Sequence, residues 1–235
     1  MILSVRNISK SFDGRRVLQQ LSLDVEQGEF ISIIGPSGSG KSTLFNEGDI
    51  ILNEKIITYQ TGFISYMPQN PSLFPWRTAL ENAVLGQELF GKTDLGCARE
   101  LIKKGNLGEI ADAYPHQLSG GMKQRIAFIR ALLSPQPILC LDEPFSALDA
   151  FTRLDMQKWL LETWQSYEQS ILFITHDIDE AIFLSDKIVI LSSSPAEVKA
   201  IMTVPFERPR GESLRLSYAF LDFKKKVTEK ITESF

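Results

Sequence analysis

The chain has 235 residues, a formal net charge of −4 and 43% hydrophobic residues. This length suits one large domain, or a domain with a small appendage, that buries a full core. The mildly negative charge excludes a general attraction to nucleic acid or anionic lipid. Two cysteines are too few for a disulfide framework. We therefore expect a globular protein of a reducing compartment, without a nucleic-acid partner.

The apolar segments are too short to cross a membrane. The longest runs, such as 171–174 and 188–191, are of strand size, whereas a membrane span needs roughly 20 residues. The first residues alternate in polarity and do not resemble a signal peptide. If this protein serves a membrane, another chain must cross it.

Residues 2 to 34 have the pattern of a β region. Leu3 and Val5 alternate with polar neighbours, as do residues 21 to 25, and Asp13-Gly14 is a hairpin-type turn. An apolar strand is then predicted from Phe30 to Ile34. It leads directly into the first motif.

That motif fits G-x-x-x-x-G-K-[ST], the pattern of a phosphate-binding loop at the start of a helix. We expect Lys41 to reach the β- and γ-phosphates and the Ser42 hydroxyl to ligate Mg²⁺. The alternative is a flexible loop rich in glycine and serine. The residues of the motif are Gly35, Pro36, Ser37, Gly38, Ser39, Gly40, Lys41, Ser42 and Thr43.

The helix expected after this loop does not fit the sequence. It should run for roughly 10 to 14 residues, yet residues 47 to 50 already read as the start of a strand. Either the chain has lost a segment that supports the nucleotide site, or the sequence as given lacks one. The abrupt junction favours the second interpretation.

From about Asp94 the apolar residues follow helical spacing. Three later segments are continuous apolar runs, which is typical of a buried parallel sheet in an α/β protein. We predict these strands at 138–141, 171–175 and 187–191, and a final amphipathic helix at 214–231.

Two carboxylates follow the strand at 138–141. We expect Asp142 to hold Mg²⁺ and Glu143 to polarise an attacking water. Side chains of adjacent residues at a strand end point in different directions, which suits this division. Alone, Asp-Glu-Pro is a helix-start signal; beside a phosphate loop it indicates catalysis.

Residues 118 to 125 read Leu-Ser-Gly-Gly-Met-Lys-Gln-Arg and open a helix. Ser119 is a candidate N-cap, and Gly120 and Gly121 would expose backbone N–H groups at a positive helix end. This is either a second anion site, serving a nucleotide held by another copy of the chain, or a plain capped helix. The residues alone leave both interpretations open.

These motifs, in this order over residues 1 to about 191, resemble the ATP-binding subunit of an ATP-binding-cassette (ABC) transporter. The resemblance implies an α/β fold with a RecA-like P-loop NTPase core, an N-terminal antiparallel β subdomain and a helical subdomain at about 76–134. Residues 192–235 would be a C-terminal extension packed on the same domain.

The resemblance also implies an activity and partners. The chain would be a Mg²⁺-dependent ATPase that binds ATP, pairs head to tail with a second copy and contacts transmembrane permease subunits. A solute-binding protein would be an indirect partner. The implied location is peripheral, on the cytoplasmic face of the cell membrane.

Site roles follow from the same resemblance, position by position. Phe12 is similar to the aromatic residue that stacks on adenine, with a core or hairpin aromatic as the alternative. Thr43 would contact the α-phosphate, and Gln69 would touch Mg²⁺ and the attacking water. His176 would contact the γ-phosphate as part of the catalytic set.

Three further roles depend on a second copy. Ser119 and Gly121 would bind the γ-phosphate of the opposite nucleotide. Asp149 resembles a residue of the loop that communicates across the dimer, although it is also a candidate N-cap.

Met122 replaces the glutamine that many members have. Met here, together with residues 74–82 and 205–210, is similar to importers for nitrate, sulfonates and taurine. A soluble ABC-type ATPase unconnected with transport and a regulatory subunit without turnover are the alternatives.

Overall fold

The computed structural model describes residues 1–12, 15–36, 49–58, 60–167 and 169–233. Several expectations lie outside these residues: the turn at Asp13-Gly14, the phosphate loop from Ser37 to Thr43 and the junction that follows it. The side chain of Phe12 also lies outside the description. The chain divides into two units, 1–63 with 169–235, and 64–168.

The first unit contains an antiparallel sheet with the strand order β2-β1-β4-β5. Leu3 at the start of β1 pairs with Val25 of β2 on one side and with Leu52 of β4 on the other, and all three side chains are buried. The predicted antiparallel region is confirmed. The strands are β1 (Leu3–Phe12), β2 (Arg15–Val25), β4 (Asp49–Leu52) and β5 (Lys55–Ile56).

The same unit holds a parallel set centred on β3 (Phe30–Ile34). This strand lies between β8 (Ser170–Ile174) and β9 (Lys187–Leu191) and is parallel to both. Every residue of β3 and β8 is buried, which explains why their sequences are continuously apolar. β10 (Val198–Thr203) pairs antiparallel with β9 and was not predicted, because Ile201 on its exposed face breaks the alternation of apolar and polar residues in the sequence.

The described residues of this unit also form the helices α6 (Ile178–Leu184) and α7 (Tyr218–Thr232). Phe220, Phe223 and Val227 of α7 join a buried cluster with residues of α6 and β9. The predicted final helix is thus present, although residues 212–216 form a separate 3₁₀ turn before it.

A buried arginine closes the end of α6. The Arg210 guanidinium donates to the carbonyls of Ile182 (3.0 Å), Phe183 (3.1 Å) and Ser185 (2.7 Å), and it also donates to Phe206 O. The last carbonyls of a helix have no partner within it, so they need such a donor. Burial, with a smaller contribution from Arg208, lowers the pKa of Arg210 to about 10, which leaves it charged at neutral pH.

Arg210→Met should lower the free energy of unfolding by about 2 kcal/mol, because several buried carbonyls lose their donor. Chemical denaturation measures this loss. The matched control is Arg6→Met: Arg6 pairs with Asp24 while both side chains are more than 40% exposed, so it should cost less than about 1 kcal/mol. Equal losses in the two variants would contradict the role given to Arg210.

The second unit combines a parallel strand pair with helices. β6 (Ser65–Met67) pairs with β7 (Ile138–Asp142). The helix α4 begins after its N-cap Ser119 and ends at Leu132, shortly before Pro135. The helices are α1 (Ala79–Ala83), α2 (Leu85–Glu88), α3 (Leu95–Lys104), α4 (Gly120–Leu132) and α5 (Ala150–Trp164).

Candidate functional site

The parallel pair β6 and β7 brings Gln69 and Glu143 to one edge. Met67 lies opposite Leu141, so the residues that follow the two strands emerge side by side. Gln69 Nε2 lies 3.2 Å from Glu143 Oε2 and 3.3 Å from Ser146 Oγ. A carboxylate accepts hydrogen bonds only, so the amide nitrogen of Gln69 is the end that faces Glu143. Its amide oxygen remains as the acceptor end of the group.

Asp142 has a different partner from its neighbour. Its side chain is 6% exposed, and Oδ2 accepts a 2.8 Å hydrogen bond from the Tyr66 hydroxyl. Desolvation, reinforced by this hydrogen bond, raises the pKa of Tyr66 well above its usual range. Tyr66 therefore stays a donor at neutral pH and fixes one oxygen of Asp142.

The raised pKa of Tyr66 gives a pH prediction. A group with a raised folded-state pKa contributes stability that is fully present below its unfolded pKa, about 10, and is lost as pH rises above it. Absorbance at 295 nm should show delayed ionisation of Tyr66 and of Tyr167, whose pKa is raised by desolvation. Tyr66→Phe should remove one delayed phenol; an unchanged delayed amplitude would contradict the assignment.

The backbone of Glu143 adopts an unusual conformation. Its φ is +44°, in the left-handed region, where a non-glycine residue costs about 1–3 kcal/mol. Ser146 holds this turn, since its N–H and its hydroxyl both donate to Glu143 O, at 3.2 and 3.0 Å. Such strain is concentrated at functional sites, and here it accompanies the separation of two consecutive carboxylates.

At the start of α4, Ser119 Oγ accepts from the Met122 N–H at 3.3 Å, which makes Ser119 the N-cap that was predicted. Ser119 and Gly120 are exposed. The two glycines differ: a Cβ on Gly120 would meet none of the described residues within 4 Å, whereas one on Gly121 would lie 3.1 Å from Thr152 Cγ2. Gly120 leaves the helix end open, and Gly121 allows α4 to pack near α5.

Asp149 is the N-cap of α5. Its carboxylate accepts from the N–H groups of Phe151 and Thr152 and, at 2.6 Å, from the Thr152 hydroxyl. These bonds, chiefly that with the Thr152 hydroxyl, lower the pKa of Asp149. The helix-capping interpretation accounts for this residue here, and its role across a dimer stays a prediction.

In the first unit, Gly35-Pro36 follows β3 and His176 follows β8. Because these strands are parallel neighbours, and Thr175 N donates to Ile33 O at 3.2 Å, both segments leave the sheet at the same edge. His176 is exposed. Asp177 caps α6, while the buried Glu180 accepts from the Thr175 hydroxyl at 2.7 Å.

Sequence reasoning missed several contacts of the site. Two such contacts are those of Tyr66 with Asp142 and of Ser146 with Gln69. Each joins residues more than 70 positions apart, so the sequence carries no local signal for it. The contact of Gln124 with the backbone of Gln69 did have a local signal in the sequence. Gln124 is polar, whereas the other buried residues of α4 are apolar.

None of the helices in the described residues combines the length and the apolar character that a membrane span requires. Among the same residues, no group of three or more His, Cys, Asp or Glu side chains is placed to hold a metal ion.

The parallel strands, the motif at Gly35 and the carboxylates after β7 are those of a P-loop NTPase of the α/β class, and the Leu-Ser-Gly-Gly motif at the start of α4 resembles that of an ATP-binding cassette. The family profile described as ABC transporter matches residues 18–146. The chain belongs to this family as an ATP-binding subunit. ATP binding and hydrolysis are the activity that this family implies.

Known relatives extend over nearly the whole chain. An uncharacterized ABC transporter ATP-binding protein, MJ0412 of Methanocaldococcus jannaschii, is 40% identical over 96% of this chain and 89% of its own length. The aliphatic sulfonates import ATP-binding protein SsuB of Bacillus cereus is 38% identical over 97% of this chain and 95% of its own. The alignment with MJ0412 spans 241 residues, more than the 235 of this chain, so that relative has residues without a counterpart here.

Solved structures confirm the fold. Two dimeric structures of the cassette MJ0796, each 28% identical, cover 88% of this chain and 100% of their own, with TM-scores of 0.75 and 0.76. One is a post-hydrolysis state bound to ADP and Pi. The predicted RecA-like P-loop NTPase core with an antiparallel β subdomain and a helical subdomain is therefore correct.

Proposed function

We propose that this chain hydrolyses ATP to drive solute import as the nucleotide-binding subunit of an ABC importer. The observation that carries the proposal is the contact of Gln69 Nε2 with Glu143 Oε2 at 3.2 Å. It joins the predicted base and the predicted water-orienting amide at the end of two parallel strands. Ligands of open α/β sheets bind at such carboxyl ends.

Each predicted site residue has a role in the hydrolysis of ATP. Glu143 accepts the proton of the attacking water, and Gln69 orients that water. Lys41 and His176 stabilise the charge that develops on the transferred phosphoryl group. The rest of the phosphate loop, Gly35 to Thr43, supplies backbone N–H groups to the phosphates, and Phe12 stacks on the adenine.

The donor atoms near β7 fit a magnesium ion. Mg²⁺ prefers carboxylate, amide and hydroxyl oxygens, and Asp142 offers Oδ1 while Tyr66 holds Oδ2. Asp142 Oδ1, Gln69 Oε1 and the Ser42 hydroxyl would hold the ion. When bound, Mg²⁺ supplies charge neutralisation on the β- and γ-phosphates.

We also propose that two copies pair head to tail, so that Ser119, Gly120 and Gly121 of one complete the nucleotide site of the other. Exposure of Ser119 and Gly120 at a positive helix end supports this. Asp149 would belong to the loop that communicates across the dimer. The MJ0796 cassette, a relative in structure, is described as dimeric.

The remaining proposals concern the membrane. Permease subunits would dock near residues 69–82 and place the chain peripherally on the cytoplasmic face, with a solute-binding protein as an indirect partner. Likeness to the aliphatic sulfonates import protein supports a small solute of the nitrate, sulfonate or taurine type.

We further propose that residues 1–191 form the ATPase domain, with a helical subdomain at about 76–134. Residues 192–235 would form an extension on that domain. The pairing of β10 with β9 and the packing of α7 on α6 support this.

Phosphate release from ATP by the purified chain tests the enzymatic proposal. We expect turnover with Mg²⁺ that stops when EDTA removes the metal, because the phosphate charges then lack neutralisation. A folded chain that hydrolyses no ATP with Mg²⁺, alone or in membranes with its co-expressed permease, would favour a regulatory subunit. If the chain hydrolyses ATP but deletion of its gene leaves solute uptake by the cell unchanged, a soluble ATPase would be favoured.

A further inference from the structure

Side chains of α4 donate hydrogen bonds to the loop that carries Gln69. We call residues 69–72 the glutamine loop. Gln124 Nε2 donates to Gln69 O at 3.1 Å. Arg130 donates to Pro71 O at 2.7 Å and to Ser72 O at 3.0 Å. Three backbone carbonyls of this short loop are thus held by two side chains of one helix.

The loop needs these donors. Pro71 has no N–H group, and Ser72 has a φ of +45°, in the left-handed region. No helix or strand includes these residues, so no regular hydrogen-bond ladder fixes their carbonyls. Side chains of α4 take that place.

Burial of the two donor side chains, Gln124 and Arg130, is unfavourable for the stability of the core. Gln124 is 1% exposed, and its Oε1 has no hydrogen-bond partner in the part of the chain that is described. A buried polar atom without a partner destabilises the folded chain. Burial also disfavours the charged form of Arg130 and lowers the pKa of its guanidinium. An apolar residue would pack more favourably at position 124, so the amide is explained by its bond to the loop.

The held backbone places a catalytic side chain. From this loop, Gln69 reaches Glu143 at 3.2 Å and Ser146 at 3.3 Å. The helix that holds the loop is the one that begins beside Ser119. A shift of α4 therefore shifts the carbonyl of Gln69 with it.

We propose that Gln124 and Arg130, which we call the loop clamp, are positioning residues that hold Gln69 against Glu143. This inference rests on the proposed ATPase function. The clamp acts through the backbone of residues 69–72. It makes the position of α4 set the position of the water-orienting amide.

Two variants test the clamp, each with a small change in shape. Arg130→Lys keeps the charge but loses the two-pronged grip on Pro71 and Ser72. Gln124→Glu is isosteric but turns the donor toward Gln69 O into an acceptor. The matched control is Arg125→Lys, because Arg125 also lies on α4 and donates to a backbone carbonyl, that of Gly105 at 2.8 Å, away from the loop.

Both clamp variants should lower kcat about tenfold with little change in KM for ATP, because misplacing a catalytic group costs rate more than binding. Hydrogen exchange at the amides of residues 69, 70 and 72 should become about tenfold faster. Arg125→Lys should change neither quantity. Thermal unfolding of all three variants checks folding, and Gln124→Glu carries the test if Arg130→Lys does not fold.

The outcomes separate the two proposals. A wild-type chain without turnover contradicts the proposed function, whereas loop exchange equal in all four proteins contradicts the clamp whether or not ATP is hydrolysed. Faster exchange with an unchanged kcat also overturns the inference, because the loop would then move without displacing Gln69 from its task.

Discussion

Replacing Glu143 with glutamine should lower kcat for ATP hydrolysis about 10²- to 10⁴-fold, the range expected for loss of a general base. The substitution keeps the size of the side chain, and the new amide oxygen can still accept from Gln69 Nε2. What it removes is the group that takes a proton from water. Steady-state phosphate release measures kcat, and equilibrium binding of a fluorescent ATP analogue should be unchanged.

Glu162→Gln is the matched control for this substitution. Glu162 is an exposed carboxylate on α5, in the same unit of the chain. Glu162→Gln changes the net charge by the same amount as Glu143→Gln and leaves Gln69 and Asp142 unaffected. A Glu143→Gln variant that retains more than a tenth of the wild-type kcat would remove Glu143 from the role of base.

Parts of this site follow from the sequence by simple physics. Continuous apolar runs predicted the strands β3, β7, β8 and β9, because parallel strands are covered on both faces. Once β7 is known to end at Asp142 and β6 to end before Gln69, their parallel pairing brings the following residues to one edge. The contact of Gln69 with Glu143 is thus a consequence of two strand ends.

Other parts depend on contacts that the sequence does not encode locally. The positive φ of Glu143 is imposed by the turn that Ser146 closes, and glutamate has no intrinsic preference for that region. Tyr66 reads as an ordinary strand residue until the strand order places it beside Asp142. Packing of the whole unit decides both.

Ser119→Arg should lower turnover about 10²- to 10³-fold, as expected when a donor to a developing phosphate charge is lost. The long side chain would fill the exposed helix end that we propose to receive the partner's γ-phosphate. ATP binding to the single chain should persist, since the phosphate loop lies elsewhere in the sequence. Phosphate release and ATP-dependent dimerisation, followed by light scattering, measure the two effects.

Ser217→Arg controls for the loss of an N-cap. Ser217 caps α7 and accepts from the Phe220 N–H at 3.1 Å, so both variants should lose about 1 kcal/mol of stability. Only the change at Ser119 should stop turnover. Equal activities of the two variants would reduce Ser119 to a structural cap.

Mixing two inactive variants gives the sharpest test of a shared site. If each site takes Glu143 from one copy and Ser119 from the other, a mixed dimer of Glu143→Gln and Ser119→Arg chains has both lesions in one site. Its other site is intact. Random pairing should then restore roughly one quarter of wild-type turnover. If the mixed dimers form but stay inactive, the assignment of Ser119 to the partner's site is contradicted, because a site contained in one chain cannot be rescued by another.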